Sequence, residues 1–369
     1  MLTNELYFVL PAVIMAFLIA SLLVPVLNSI ADKISDLRDD AIKGEYSGNR
    51  AAAGLGLILA VSLSFQLWNV NDIHTFHPYF FASLALFLLS GYVSGRGFAA
   101  SLKRVCIQFL AAVILIAGVS SEVGSYVGLM GFEGYSEFIS ILFLSGVITL
   151  ITYLFKYMGR APEMLGGIAI IISSVLGIWF WVAGFFSMAL FSFIVSSALI
   201  GYMMCSTNLK SVELGGFGWS SMGFVIAFLA MEFLLANALV AGQGIHLVNG
   251  SSLVLSLLII PIVIWAADFI SSNATIRKDE RREYHLVNLY SRLGMDKNQT
   301  SFLFWMINLM IIGVAYSTMH LHVAVQAAIL ISFGAFYTTA ILKGVLITKV
   351  LSRKLSKMES AWVRNWSRD

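Results

Sequence analysis

Long apolar runs alternate with short polar connections along the whole chain. A helix that crosses a bilayer needs about 20 apolar residues. Eleven segments meet that pattern, at roughly 5–28, 51–69, 78–94, 103–121, 136–156, 164–182, 184–204, 219–241, 251–271, 301–318 and 323–346. The sixth and seventh are nearly continuous. Glycine pairs such as Gly166-Gly167 suit close approach of helices in a membrane. The pattern predicts an all-α polytopic membrane protein.

Composition points the same way. Of 369 residues, 59% are hydrophobic and 12% charged, against about 25% charged in an ordinary soluble domain. Five prolines and no Gly/Ser-rich linker imply one integral domain over 1–348, followed by a tail over 349–369. The first apolar run follows Glu5 without a basic leader, so it reads as a retained helix and not a cleaved signal. Cys106 and Cys205 lie in or beside apolar segments and read as buried thiols. The net charge of +3 suits anionic lipid or phosphate and not nucleic acid.

The basic residues orient the chain. Cytoplasmic loops collect Lys and Arg. With eleven spans and the N-terminus outside, all 23 Lys and Arg residues fall on the cytoplasmic side. The outer connections 70–77, 122–135, 242–250 and 319–322 hold none. The C-terminus is then cytoplasmic, as are the two large polar loops, 29–50 and 272–300. In the tail, Val350, Leu351, Leu355, Met358, Trp362 and Trp366 recur at near-helical spacing among basic residues. That fits an interfacial amphipathic helix; a plain cytoplasmic tail is the alternative.

Four blocks carry a resemblance. Residues 91–112, GYVSGRGFAASLKRVCIQFLAA, are similar to a Gly-x-x-Asp-Asp stretch followed by a basic pair and Gln-x-x-Ala-Ala. Gly91, Arg104, Gln108, Ala111 and Ala112 fit, and Ser94 and Gly95 stand where the aspartates belong. Residues 152–170 look like Asn-x-x-Asn-x-x-Asp-Gly-x-Asp-Gly-Leu-x-Gly-Gly. Leu165, Gly166 and Gly167 fit; Gly159 and Pro162 replace the aspartates, with Glu163 one residue out of place. Residues 214–230 resemble Met-Gly-Asp-x-Gly-Ser followed by Met-Gly-Phe. Gly215, Gly218, Met222, Gly223 and Phe224 fit, Gly216 replaces the aspartate and Trp219 the serine. Residues 279–300 are similar to an Arg-x-His-x-His-His loop, of which His285 remains. Upstream, Pro261 and Asp268 also match.

Together these blocks resemble the polyprenyl-phosphate N-acetylhexosamine-1-phosphate transferases (glycosyltransferase family 4), in the undecaprenyl-phosphate N-acetylglucosamine branch. The resemblance implies eleven helices in the bacterial-type inner (cytoplasmic) membrane and a role in cell-envelope polysaccharide biosynthesis. Such enzymes transfer a phospho-N-acetylsugar from a UDP-sugar to polyprenyl phosphate, with magnesium.

The departures fall on the chemical positions. Magnesium takes oxygen ligands, usually one or two carboxylates plus phosphates and waters. Ser94 offers only a weak hydroxyl, and Gly95, Gly159, Pro162 and Gly216 offer no ligand at all. The leading reading is therefore a pseudoenzyme with no metal and no assigned catalytic residue. It would bind polyprenyl phosphate, another membrane lipid or a pathway partner protein. Arg160, Arg281, Arg282 and His285 are the candidates for phosphate or nucleotide, because guanidinium groups match phosphate oxygens in a fork. They also read as topology-setting or headgroup-contacting residues. A second reading is an active transferase whose magnesium is held by Glu163 and Asp268. Glu163 alternatively reads as a solvated acid, and Asp268 as a helix-packing hydrogen-bond donor or acceptor. A third reading is a lipid-handling or transport protein that reuses the bundle. The pair His320-x-His322 has the residue types of a metal site but only two ligands. No phosphate-binding Gly loop, zinc-spaced Cys set or nucleophile elbow occurs.

Overall fold

The computed structural model describes residues 2–37, 48–68, 77–92, 98–118, 137–157, 162–208, 215–240, 247, 250–273, 297–337 and 340. Among these residues every long element is a helix and there is no strand. The helices are α1 (Leu2–Leu37), α2 (Gly48–Trp68), α3 (His77–Tyr92), α4 (Phe98–Gly118), α5 (Glu137–Tyr157) and α6 (Pro162–Val182). They continue as α7 (Phe186–Asn208), α8 (Gly215–Leu239), α9 (Gly250–Asn273) and α10 (Lys297–Ser317). The last is α11 (Val323–Tyr337). Each apolar segment read from the sequence falls on one of these helices. Six of them, α1, α5, α6, α7, α8 and α10, carry an apolar stretch long enough to cross a membrane. The protein is a helical, membrane-embedded protein. Contacts divide it into two compact units, Met1–Val254 and Leu255–Asp369.

In the first unit α8 is central and touches α2, α3, α5, α6 and α7. It is apolar on all sides, as a helix enclosed by neighbours must be. In its span Gly218–Leu239, 78% of residues are buried, against 22% for Val9–Ile30 of α1. Aromatic rings fix its neighbours. Phe224 stacks on Phe87 of α3 at 4.3 Å, Phe228 lies 4.9 Å from Phe80, and Phe233 meets Trp179 of α6 edge-on at 4.6 Å.

α1 lies at the rim. Ala12, Ala16, Ala20 and Val24 recur every fourth residue and are all fully buried. Leu10, Ile14, Leu18, Leu22 and Val26 form the opposite, exposed row, which suits lipid. The small row lets α1 sit tightly on α2 and α7. A Cβ added at Gly201 of α7 would lie 2.7 Å from the Phe17 carbonyl oxygen, and one at Gly56 of α2 would lie 3.2 Å from the Val24 Cα. Such close approach of small residues is a standard source of helix association in lipid.

The nearly continuous sixth and seventh segments are separated by a defined cap. Gly184 has φ +84°, a left-handed conformation that glycine adopts without cost. Its N–H donates to the Trp181 carbonyl at 3.2 Å, and the Phe185 N–H donates to the Phe180 carbonyl at 2.9 Å. Phe185 also stacks on Trp179. This is a Schellman motif with its hydrophobic contact. It returns α7 along α6, where Ser173 and Ser174 both hydrogen-bond the Ser196 hydroxyl, at 2.7 and 3.1 Å.

The second unit contains most of α9 with α10 and α11. Gly334 of α11 meets Ile259 and Val263 of α9. Phe304 of α10 packs edge-on against Tyr337, and the Gln326 amide donates to the Ala315 carbonyl at 2.6 Å. The α10–α11 turn is closed by His322, whose carbonyl accepts from the N–H groups of Val325 and Gln326.

Both cysteines are free thiols, and Cys106 is exposed where burial was expected. Leu102 and Leu110 on the same face of α4 are exposed as well. An apolar face of a membrane helix need not be a buried one, because it can meet lipid.

Candidate functional site

The block 152–170 meets the block 214–230 on the N-terminal half of α8, and α3 reaches the same place just before the block 91–112. Phe224 stacks on Phe87, in the last turns of α3. A Cβ at Gly223 would lie 2.7 Å from the Phe155 Cβ and 3.0 Å from the Thr152 Cα, near the end of α5. A Cβ at Gly166, in the second turn of α6, would lie 3.4 Å from the Trp219 ring and 2.8 Å from the Met203 sulfur. On α4, the Gln108 amide donates to the Ser90 hydroxyl of α3 at 3.3 Å. The ends of α3, α5, α6 and α7 and the start of α8 thus meet at one end of the first unit.

The apolar positions that match the resemblance are packing positions. Ala111, Ala112, Leu165, Met222 and Phe224 are all fully buried. Glycine at 166 and 223 allows the helices to approach where any side chain would obstruct them.

The middle of this convergence is filled by Trp219. Its indole is fully buried, lies against Gly166 and meets Tyr202 edge-on at 6.2 Å. Among the described residues its Nε1 has no hydrogen-bond partner. Tyr202 and Met203 carried no motif in the sequence; an indole between glycines, where a serine is expected, was the available signal.

The candidate ligands are distributed as follows. Ser94, Gly95, Gly159, Arg160, Arg281, Arg282 and His285 lie outside the described residues, as does the tail 349–369. Ser94 and Gly95 belong to the connection between α3 and α4, and Gly159 and Arg160 to that between α5 and α6, both of which leave from the convergent end. Pro162 opens α6, where its missing N–H costs nothing because that group has no helical partner. Glu163 follows in the first turn, half-buried, where a carboxylate is favoured by the helix dipole. Its position therefore has an explanation without any ligand. Gly216 lies in the first turn of α8. Asp268 lies in the last turns of α9, in the second unit.

This donor set does not fit magnesium. Pro162 and Gly216 bring no side-chain oxygen to the helix starts, and the fully buried Trp219 indole lies against Gly166, one turn further into α6. Among the described residues no three His, Cys, Asp or Glu side chains gather as a metal site. His320 and His322 stand exposed in the α10–α11 turn. The His322 Nδ1 accepts the Ala324 N–H at 3.3 Å, which commits that nitrogen to capping α11.

No protein-family model matches this sequence, and no curated protein matches it.

Proposed function

We propose that the protein is a catalytically degenerate relative of the polyprenyl-phosphate sugar-1-phosphate transferases. It spans the cytoplasmic membrane eleven times with the N-terminus outside, and it binds a lipid phosphate in support of envelope glycan assembly. One observation carries this reading. Acidic positions are lost selectively, while the glycine and apolar positions around them are kept and are buried against one another. Random decay would degrade packing and chemistry alike.

In this reading the basic residues of the inner loops supply the affinity. Arg160, Arg281, Arg282 and His285 hold the phosphate by charge-assisted hydrogen bonds. With no carboxylates to hold magnesium, a UDP-sugar would not react. The protein then acts by holding lipid phosphate or by presenting it to a partner.

The test uses purified protein in nanodiscs. Undecaprenyl phosphate binding is measured by native mass spectrometry, and transfer is measured with magnesium and radiolabelled UDP-N-acetylglucosamine. Binding that weakens in an Arg281→Ala/Arg282→Ala variant, with no labelled lipid formed, supports the proposal. Labelled lipid that disappears on adding EDTA would refute it and turn attention to Glu163 and Asp268.

A further inference from the structure

The helix α4 has two unlike faces. Gln108, Ala111, Ala112 and Leu115 are buried on the inner one. There the Gln108 amide donates to the Ser90 hydroxyl, and Gly118 lies against the Tyr79 ring, both of α3. Lys103, Cys106 and Leu110 fall at i, i+3 and i+7, which is one face of a helix, and all three are exposed. Leu102, beside Lys103, is exposed as well. Lipid tails satisfy Leu102, Cys106 and Leu110. They do not satisfy Lys103, because an ammonium ion is costly in hydrocarbon.

The depth of Lys103 says where its partner lies. α4 has 21 residues, about 31 Å at the usual rise, close to the thickness of the hydrocarbon layer. Lys103 follows the first residue, Phe98, by five positions, about 7 Å along the axis. From there its long stem lies along the apolar face and carries the ammonium to the headgroup level.

The charges at this end of α4 favour an anion. A helix start carries partial positive charge and suits an acid. α6 follows that rule with Glu163. α4 has no acid in its first turn, and it places Lys103 and Arg104 in the second. The chain has no Asp or Glu between Asp72 and Glu122, a stretch that includes all of α3 and α4. The other helix packed on α4 is α5, whose one acid, Glu137, is its first residue. Thr152 and Phe155, at the opposite end of α5, are the residues that meet α8 where Phe87 of α3 does. Positive charge therefore gathers at the start of α4 with no carboxylate on α3, on α4 or on the near end of α5.

We propose that the exposed face of α4 docks one anionic phospholipid. Its phosphate lies on the Lys103 ammonium, and one acyl chain runs along Cys106 and Leu110. Arg104 adds to the positive field at the same level. A phospholipid is the partner that fits, because it joins an anion at headgroup depth to the hydrocarbon that the rest of the face requires. The inference rests on α4 and its neighbours, and it stands whether or not the protein handles polyprenyl phosphate.

The test uses the full chain in nanodiscs of phosphatidylethanolamine and phosphatidylglycerol, with a bimane label on Cys106 in a Cys205→Ser background. Quenching by brominated phosphatidylglycerol is compared with quenching by brominated phosphatidylethanolamine at equal mole fraction. Phosphatidylglycerol is expected to be enriched beside the label about fivefold, the factor that one basic residue supplies at a membrane surface. Lys103→Arg keeps the enrichment and Lys103→Gln loses it. Equal quenching by the two lipids in the parent would overturn the docking site. So would a preference that survives Lys103→Gln, because it would then come from the positive charge of the protein at large.

Discussion

Gly223 of α8 and Phe155 of α5 are so close that a methyl group on Gly223 would sit 2.7 Å from the Phe155 Cβ and 3.0 Å from the backbone of Thr152. Backbone cannot rotate away, so Gly223→Ala must push the two helices apart. The expected cost is about 1–3 kcal/mol. Gly166→Ala meets chiefly the Met203 sulfur, the flexible end of a side chain, and costs less. At Gly146 a Cβ meets nothing within 4 Å. There Ala is neutral or stabilising, by up to about 1 kcal/mol. Thermal unfolding of the three variants in one detergent should give the order 223, 166, 146. Any other order contradicts the packing.

These glycines show how far the sequence could be read. The apolar helices were legible because a bilayer imposes a long apolar run. The packing glycines were legible as motif positions, but not their partners: Gly223 and Phe155 are far apart in sequence, and each looks like an ordinary span residue. The central place of α8 was not legible either, since its apolar run reads like the others and only contacts distinguish an enclosed helix from a rim helix. Gly184 separates α6 from α7 through its positive φ, which composition alone does not reveal. For the site, the sequence named the positions where the resemblance expects acids and the chain has none. It did not show that Trp219 fills the space, because a substitution in a motif says nothing about the volume around it.

At the other end of α8, Asn237 holds the following connection by two bonds. Its Nδ2 donates to the Leu247 carbonyl at 2.8 Å, and its Oδ1 accepts the Leu247 N–H at 2.9 Å. Gly250, which opens α9, packs against the same amide. Asn237→Asp keeps one of the two bonds and Asn237→Leu keeps neither. Asn237→Leu is expected to lose about 1–3 kcal/mol of protection for the Leu247 amide. Asn237→Asp should fall between it and the parent in hydrogen exchange. Equal exchange in all three would show that the connection is held elsewhere.

Trp219 separates packing from chemistry. Trp219→Ser restores the residue type that the resemblance expects, but it removes a fully buried indole. The expected cost is about 3–5 kcal/mol. Trp219→Phe keeps most of the volume, discards an N–H that has no partner among the described residues, and should cost less than half as much. Neither variant gains magnesium-dependent transfer, because Gly216 and Pro162 still supply no ligand. Denaturation measures the first expectation and the radiolabel assay the second. A Trp219→Ser protein that is stable and active would show that the indole alone had blocked the site.

The last expectation runs against the usual direction of core mutations. Asn308 lies on the buried face of α10 with Phe304, Ile311 and Ala315. It is fully buried, and among the described residues neither its Oδ1 nor its Nδ2 has a hydrogen-bond partner. A buried amide without partners costs about 1–3 kcal/mol on mutational scales. Leucine has the same number of side-chain heavy atoms and leaves no polar atom unpaired. Asn308→Leu should therefore stabilise the protein by about 1 kcal/mol or more, whereas Asn308→Ala, which opens a cavity, should not. Both are read by thermal unfolding in nanodiscs. If Asn308→Leu instead destabilises, a lost hydrogen-bond partner or overpacking by the larger methyl groups outweighs the relief, and the expectation fails.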